Sequence, residues 1–257
     1  MKKVIIIIPA RYGSSRYKGK PLVKILNREM VLRVADICSE VVNKKDLYIA
    51  TDNNKISKVV KKAKYKVLMT SSKCLTGTDR VAEASKKIKS EIYVNVQGDE
   101  PTINPNDIKK IINAKIKYPN YVICGYDKIH SYENPSSANL PKVVVNQNKE
   151  LIYMSRSLVP GNKKKVKNSS YFKQVCIYAF NKKELSKFYL KKKKGLVEEA
   201  EDIEILRFFD LDIKIKMIKL NSSSVAVDEI KDVRKAEKIL KKRLSNVWKG
   251  WIHIGTW

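Results

Sequence analysis

Apolar positions in the first 120 residues follow two alternating patterns. Val4–Ile8 is an unbroken apolar run that stops at Pro9-Ala10-Arg11, and shorter runs recur at Leu47–Ala50, Val67–Met69 and Ile92–Val96. Val4–Ile8 is apolar at every position, and Ile92–Val96 at all but Asn95, not at every second one, and such runs predict strands in a sheet covered on both faces. Between them, Met30–Val42, Lys55–Ala63, Arg80–Lys89 and Asn106–Lys117 carry apolar residues at helical spacing and predict helices. Strands alternating with helices predict an α/β fold with a parallel sheet covered on both sides. In such sheets ligands collect at the carboxyl ends of the strands.

The pattern changes after residue 120. Val122–Asp127, Lys142–Asn146, Leu151–Ser155 and Val175–Phe180 read as strands separated by loops rich in Pro, Asn and Ser, so antiparallel pairing in a smaller lobe is expected. Asn162–Ser170 reads as a polar loop, Glu198–Phe209 as a helix and Asp228–Arg243 as a basic closing helix. We therefore expect a single domain over residues 1–245, with the lobe formed within about 122–200, and a Trp-rich tail at 246–257.

Composition narrows the classes. At 43% apolar and 31% charged residues the chain reads as globular. No apolar stretch approaches the roughly 20 residues of a membrane span. Cys38, Cys74, Cys124 and Cys176 form no CxxC pair, so free thiols in a reducing cytoplasm are expected, with neither a zinc site nor a disulfide framework. The net charge of +28 raises nucleic-acid binding as a rival reading. The lysines are spread along the whole chain, however, and no groove-reading motif accompanies them, so we read a solvated surface that attracts polyphosphates and acidic sugars and expect no nucleic-acid partner.

Four short segments carry the candidate chemistry. Pro9-Ala10-Arg11 opens a loop that continues through Ser14, Arg16 and Lys18 to Lys20-Pro21-Leu22, directly after the first strand. Small residues let backbone N–H groups approach a polyphosphate, and four cations add charge where a nucleotidyl transfer builds up negative charge. The plain alternative is a basic surface loop. Asn95-Val96-Gln97-Gly98-Asp99-Glu100-Pro101 runs a strand into Gly98, read as permitting a sharp turn, and two carboxylates. Asp99 then points into a cleft as a magnesium ligand, or else serves a turn. Val225–Asp228 reads as another apolar strand ending in Asp, either a second carboxylate for the same ion or the cap of the following helix. Leu75–Arg80 opens a helix with small polar residues suited to a nucleotide or to capping.

Taken together these segments resemble a known family. The PAR…KPL loop, Ala50-Thr51-Asp52, Thr76–Arg80, Asn95–Pro101 and Val227-Asp228 occur in an order similar to that of the 3-deoxy-manno-octulosonate cytidylyltransferases, across nearly the whole chain. The resemblance implies a Rossmann-like nucleotidyltransferase fold with a mostly parallel central sheet and a smaller, partly antiparallel dimerisation lobe. It implies CTP and an acidic sugar as substrates, Mg²⁺ held by Asp99 and Asp228, and a homodimer. Arg11, Lys20 and Asp99 then carry the catalysis. Ala10, Ser14, Thr78, Asp79, Arg80 and Gln97 join Arg11 and Lys20 in holding the nucleotide. Arg156, Tyr178 and Glu204 match positions that handle the sugar acid, with Gln97 between the two substrates. Three residues depart from the family's pattern on the sugar side: Gln174 and Glu199 stand where His is usual, and Ile205 where Gln is usual. They leave the acceptor open, an 8-amino sugar acid or a phosphonate being the alternatives, and Glu199 reads as favouring an amine.

Overall fold

The computed structural model describes residues 2–13, 17–164, 170–222 and 224–252, with side chains as far as Ser245. Ser14 and Arg16 of the first loop, and the tryptophan side chains of the tail, lie outside what is described. The elements run β1 (Val4–Ala10), β2 (Lys24–Ile25), β3 (Arg28–Glu29), α1 (Met30–Ser39), β4 (Leu47–Thr51), α2 (Asn54–Lys62), β5 (Lys66–Met69), α3 (Gly77–Ser85), β6 (Ile92–Val96) and α4 (Pro105–Lys117). They continue with β7 (Val122–Lys128), β8 (Lys142–Val145), β9 (Leu151–Ser155), β10 (Phe172–Phe180), α5 (Lys182–Leu190), α6 (Leu196–Glu201), β11 (Ile215–Lys219) and α7 (Ile230–Ile252).

The main sheet has the order β11-β7-β10-β6-β1-β4-β5. Along this path every strand is parallel to β1 except β10, which pairs antiparallel with both β6 and β7. The unbroken apolar run of β1 follows from its place between β4 and β6, where its side chains have no wet face. Ile6 and Ile8 pack on one side among residues of α1, α2 and α4, and Ile5 and Ile7 on the other among residues of α3, α5 and the turn at Glu204–Phe208. The β8–β9 hairpin hangs antiparallel from β10, with Lys142 opposite Lys173.

The expected alternation is present, with three differences. Val175–Phe180, read as part of the antiparallel lobe, lies inside the main sheet as β10. The helix expected at Glu198–Phe209 is two pieces, because Asp202 takes a left-handed conformation (φ 48°) that ends α6 before the 3₁₀ turn begins at Glu204. Val225–Asp228 is not a strand; its backbone N–H groups instead bond the loop after β6, Val227 to the Asp99 carbonyl (2.9 Å) and Val225 to Thr102 Oγ1 (2.9 Å).

From β1 the chain steps outward to β4 and β5 on one side and then returns to β6 on the other, so β1 marks the point where strand order reverses. That is where a crevice opens at the strand carboxyl ends.

Candidate active site

A cavity of about 1100 Å³ fills this crevice. Its floor is built from the ends of β1 and β6. Ala10 closes β1, and Arg11 follows it, exposed to the cavity. Gly19, with a left-handed φ of 74°, returns the loop by donating its N–H to the Tyr12 carbonyl (2.9 Å), and Lys20 begins a short 3₁₀ turn stiffened by Pro21. The end of β6 passes so close to β1 that a Cβ at Gly98 would lie 2.8 Å from the Pro9 carbonyl oxygen. Gly98 is thus required for close approach and not for a left-handed turn.

Lys20 joins the two candidate metal carboxylates. Its Nζ donates to Asp99 Oδ2 at 2.7 Å and to Asp228 Oδ1 at 3.2 Å, with its side chain only 15% exposed. Burial works against the charged ammonium, but the two carboxylates outweigh it and raise its pKa. Two acidic side chains converging on one cation is a donor set that fits a divalent metal completed by phosphate oxygens and water. Among the described residues no group of three or more His, Cys, Asp or Glu side chains is placed to hold a metal. At the first turn of α7, Asp232 accepts the N–H groups of Asp228 (3.3 Å) and Glu229 (3.0 Å).

Next to Asp99, Glu100 is buried and its hydroxyl neighbour Ser224 donates to it. Burial pushes the Glu100 carboxyl up to about 7, against that hydrogen bond. The sequence offered Glu100 as the second carboxylate of the motif but gave it no role of its own.

The other wall is formed by the N-terminus of α3 and the segment after α6. Gln97 donates to Glu204 Oε1 (2.7 Å), and the Thr78 N–H donates to Glu204 Oε2 (2.9 Å). Burial raises the Glu204 carboxyl, with the Thr78 N–H and the hydroxyls of Thr78 and Thr76 opposing. Gly77 makes this contact possible, since a Cβ there would meet Gln97 Nε2 at 2.8 Å. Of the three residues expected from this motif to bind nucleotide, Arg80 lines the cavity, while Thr78 and Asp79 stand behind it. Asp79 closes a capping box with Thr76 and faces Arg207, so the capping reading holds for it. Arg80 is buried and donates to Thr70 Oγ1 (2.6 Å) and Asp52 Oδ2 (3.1 Å).

Arg207, which sequence reasoning missed, is fully buried. Its guanidinium grips Glu198 (2.6 and 2.7 Å) and Asp79 (2.6 and 3.0 Å) with paired hydrogen bonds and lies over the Phe188 ring. Its signal in the chain was only a buried-face position in a helical segment.

At the far end, Gln174 and Tyr178 project from β10, with Gln174 Nε2 donating to the Tyr178 hydroxyl (3.0 Å) and burial holding that phenol well above its usual pKa. Arg156 also lines the cavity, and its guanidinium donates to the carbonyls of Glu201 (2.6 Å), Ala138 (2.7 Å) and Asp202 (3.0 Å). Lys173 and Glu133, unforeseen in the sequence, form a 2.5 Å ion pair on this wall. Two of the three departures noted in the sequence do not reach it. Glu199 is 71% exposed and pairs loosely with Lys194 at 3.8 Å, and Ile205 is buried in the core. Only Gln174 faces the cavity. The site thus joins a cationic, carboxylate-bearing end to a polar end lined by Arg156, Gln174 and Tyr178.

Comparison with known proteins gives the same picture. A family model described as cytidylyltransferase matches residues 5–217. The chain is 31% identical over 245 residues to the 3-deoxy-manno-octulosonate cytidylyltransferase of Escherichia coli, covering 95% of this chain and 99% of that one. It is 34% identical over 243 residues to the 8-amino-3,8-dideoxy-manno-octulosonate cytidylyltransferase of Shewanella sp. (strain W3-18-1), covering 92% and 98%. Among solved structures, CMP:2-keto-3-deoxy-manno-octonic acid synthetase complexed with CTP superposes with a TM-score of 0.86 at 31% identity, covering 94% of this chain and 99% of that one. The inositol-1-phosphate CTP transferase from T. maritima, at 15% identity and a TM-score of 0.67 over 94% and 96% of the two chains, shares the fold alone.

Proposed function

The chain belongs to the 3-deoxy-manno-octulosonate cytidylyltransferase family, and we propose that it transfers CMP from CTP to the anomeric hydroxyl of a 3-deoxy-manno-octulosonate-type sugar acid, releasing pyrophosphate. The observation that carries this reading is the meeting of Asp99 and Asp228 on Lys20 beside Arg11, at one end of a cavity whose other end is lined by Arg156, Gln174 and Glu204. The first end suits a metal-bound triphosphate and the second a polyhydroxy acid.

In this reading Arg11 and Lys20 bind the triphosphate and stabilise the charge that develops on the departing pyrophosphate. The anomeric oxygen forms its bond to the α-phosphorus as the bond to the pyrophosphate oxygen breaks in line, and the hydroxyl proton is lost. No side chain serves as nucleophile. Gln97, fixed by Glu204, lies where nucleotide and acceptor meet, and Arg156, Gln174 and Tyr178 orient the sugar acid. Asp99 and Asp228 would hold Mg²⁺, which when bound supplies neutralisation of phosphate charge. We read the product as feeding lipopolysaccharide or capsule synthesis in the cytoplasm. We also read residues 1–245 as one domain, with a smaller lobe formed within about residues 122–200 that pairs two chains into a homodimer.

The acceptor has a second reading, the 8-amino sugar acid. Gln174 is the residue that favours it, as the one departure that lies in the cavity. Pyrophosphate release from CTP and Mg²⁺, with 3-deoxy-manno-octulosonate and its 8-amino analogue supplied separately, tests both. Release with one sugar and loss of release on chelation are expected, and silence with both sugars overturns the proposed acceptor class.

A further inference from the structure

We propose that Lys20 is a place-holder for the divalent cation: in the metal-free enzyme its ammonium occupies the Asp99–Asp228 pair, and it must leave that pair before a metal binds there. The inference rests on the reading of these two carboxylates as the metal-holding pair. It starts from geometry. One ammonium lies within hydrogen-bond distance of both carboxylates, at 2.7 and 3.2 Å, in a setting that leaves the lysine side chain only 15% exposed. A divalent ion taking the same oxygens at roughly 2.0–2.1 Å would stand against that ammonium, and the two cations cannot share the pair.

The backbone around the cluster is tied down, so the exchange falls to the lysine side chain. Lys20 is held by the Tyr12–Gly19 hydrogen bond on one side and by the N–H of Val23 bonding its own carbonyl on the other. Asp99 and Asp228 are drawn together by the Val227 N–H on the Asp99 carbonyl and by Asp232 on the N–H groups of Asp228 and Glu229. The flexible four-carbon stem of Lys20 is what can move. A polyphosphate both supplies further oxygens to a metal and gives the expelled ammonium a new partner beside Arg11. Metal and nucleotide therefore bind together, and metal alone binds weakly.

The test is calorimetric titration of the full-length protein with Mn²⁺ in the absence of nucleotide, with thermal melts confirming that each variant is folded. Lys20→Gln should bind Mn²⁺ at least about tenfold more tightly than the unmutated protein, because the competing charge is gone. The gain should vanish in the Lys20→Gln/Asp99→Asn double variant. Lys20→Arg, whose planar fork grips both carboxylates, should bind no more tightly than the unmutated protein. Unchanged or weaker Mn²⁺ binding by Lys20→Gln, with binding in the presence of CTP still lost in Asp99→Asn, overturns the place-holder and leaves the metal pair standing. Mn²⁺ binding with CTP that Asp99→Asn does not alter overturns both.

Discussion

Arg207→Met removes a buried cation that serves two acidic side chains, Glu198 and Asp79, behind the site wall. The guanidinium is fully buried, Glu198 is 1% exposed and Asp79 is 15% exposed. Methionine restores much of the volume over Phe188 but no charge. Unpairing a buried ion pair by removing one partner costs about 3–5 kcal/mol. Asp79 keeps its hydrogen bonds from the Thr76 N–H and hydroxyl and is partly wet, so its share is the smaller one. We take about 4 kcal/mol for the whole change. Against a total stability on the order of 5–15 kcal/mol this is a large fraction. At about 2–4 °C per kcal/mol for a chain of this size it lowers Tm by about 8–16 °C. Urea denaturation followed by circular dichroism gives the free energy directly. The double variant Arg207→Met/Glu198→Leu should recover part of the loss, because the orphaned carboxylate goes with its partner. A single-variant loss under about 1 kcal/mol would refute the reasoning, since it would mean that the two carboxylates are solvated without Arg207.

Asp99→Asn should leave the thermal midpoint near that of the unmutated protein and abolish pyrophosphate release; activity at the unmutated level would remove Asp99 from the reaction. Gly77→Ala drives a Cβ into Gln97 at 2.8 Å and separates Gln97 from Glu204. Loss of one hydrogen bond to a charged partner, about 1.5–3 kcal/mol, should lower kcat/KM about ten- to a hundredfold, and an unchanged value would show that Gln97 positions nothing. Burial disfavours the Glu201 carboxylate, but the Arg156 N–H and the hydroxyls of Ser155 and Tyr153 outweigh it and hold the group below its ordinary 4.5. Its contribution to stability is therefore complete above pH 4.5 and lost as pH falls toward the lower folded value. The Tm gap between the unmutated protein and Glu201→Gln should close over that range, and a gap that persists in full at lower pH would count against the assignment.

The chain's own pattern carried much of this protein. The apolar runs at Val4–Ile8, Leu47–Ala50 and Ile92–Val96 became β1, β4 and β6, because a strand inside a sheet covered on both faces buries nearly every side chain, the polar Asn95 of β6 included. The motifs after β1 and β6 pointed to Arg11, Lys20, Gln97 and Asp99, all of which line the cavity. In α5 three lysines interrupt the apolar spacing and hide its helical period. In β11 the spacing of lysines and apolar residues breaks off at Met217-Ile218, which leaves too short an alternation to stand out as a strand.

Partnership over long sequence separation was the larger gap. Nothing local distinguished Gln174, which faces the cavity, from Glu199, which faces water, although both departed from the family's pattern. The antiparallel entry of β10 between β6 and β7, the pairing of Asp79 with Arg207, and the meeting of Asp228 with Asp99 on Lys20 all depend on where the chain returns after a long excursion. Periodicity and turn chemistry act within a few residues, so the sequence by itself determined the kinds of element and the motifs at their ends. Which strand lies beside which, and which charge neutralises which, only the tertiary structure decided, because those choices are set by packing and desolvation among residues far apart in the chain.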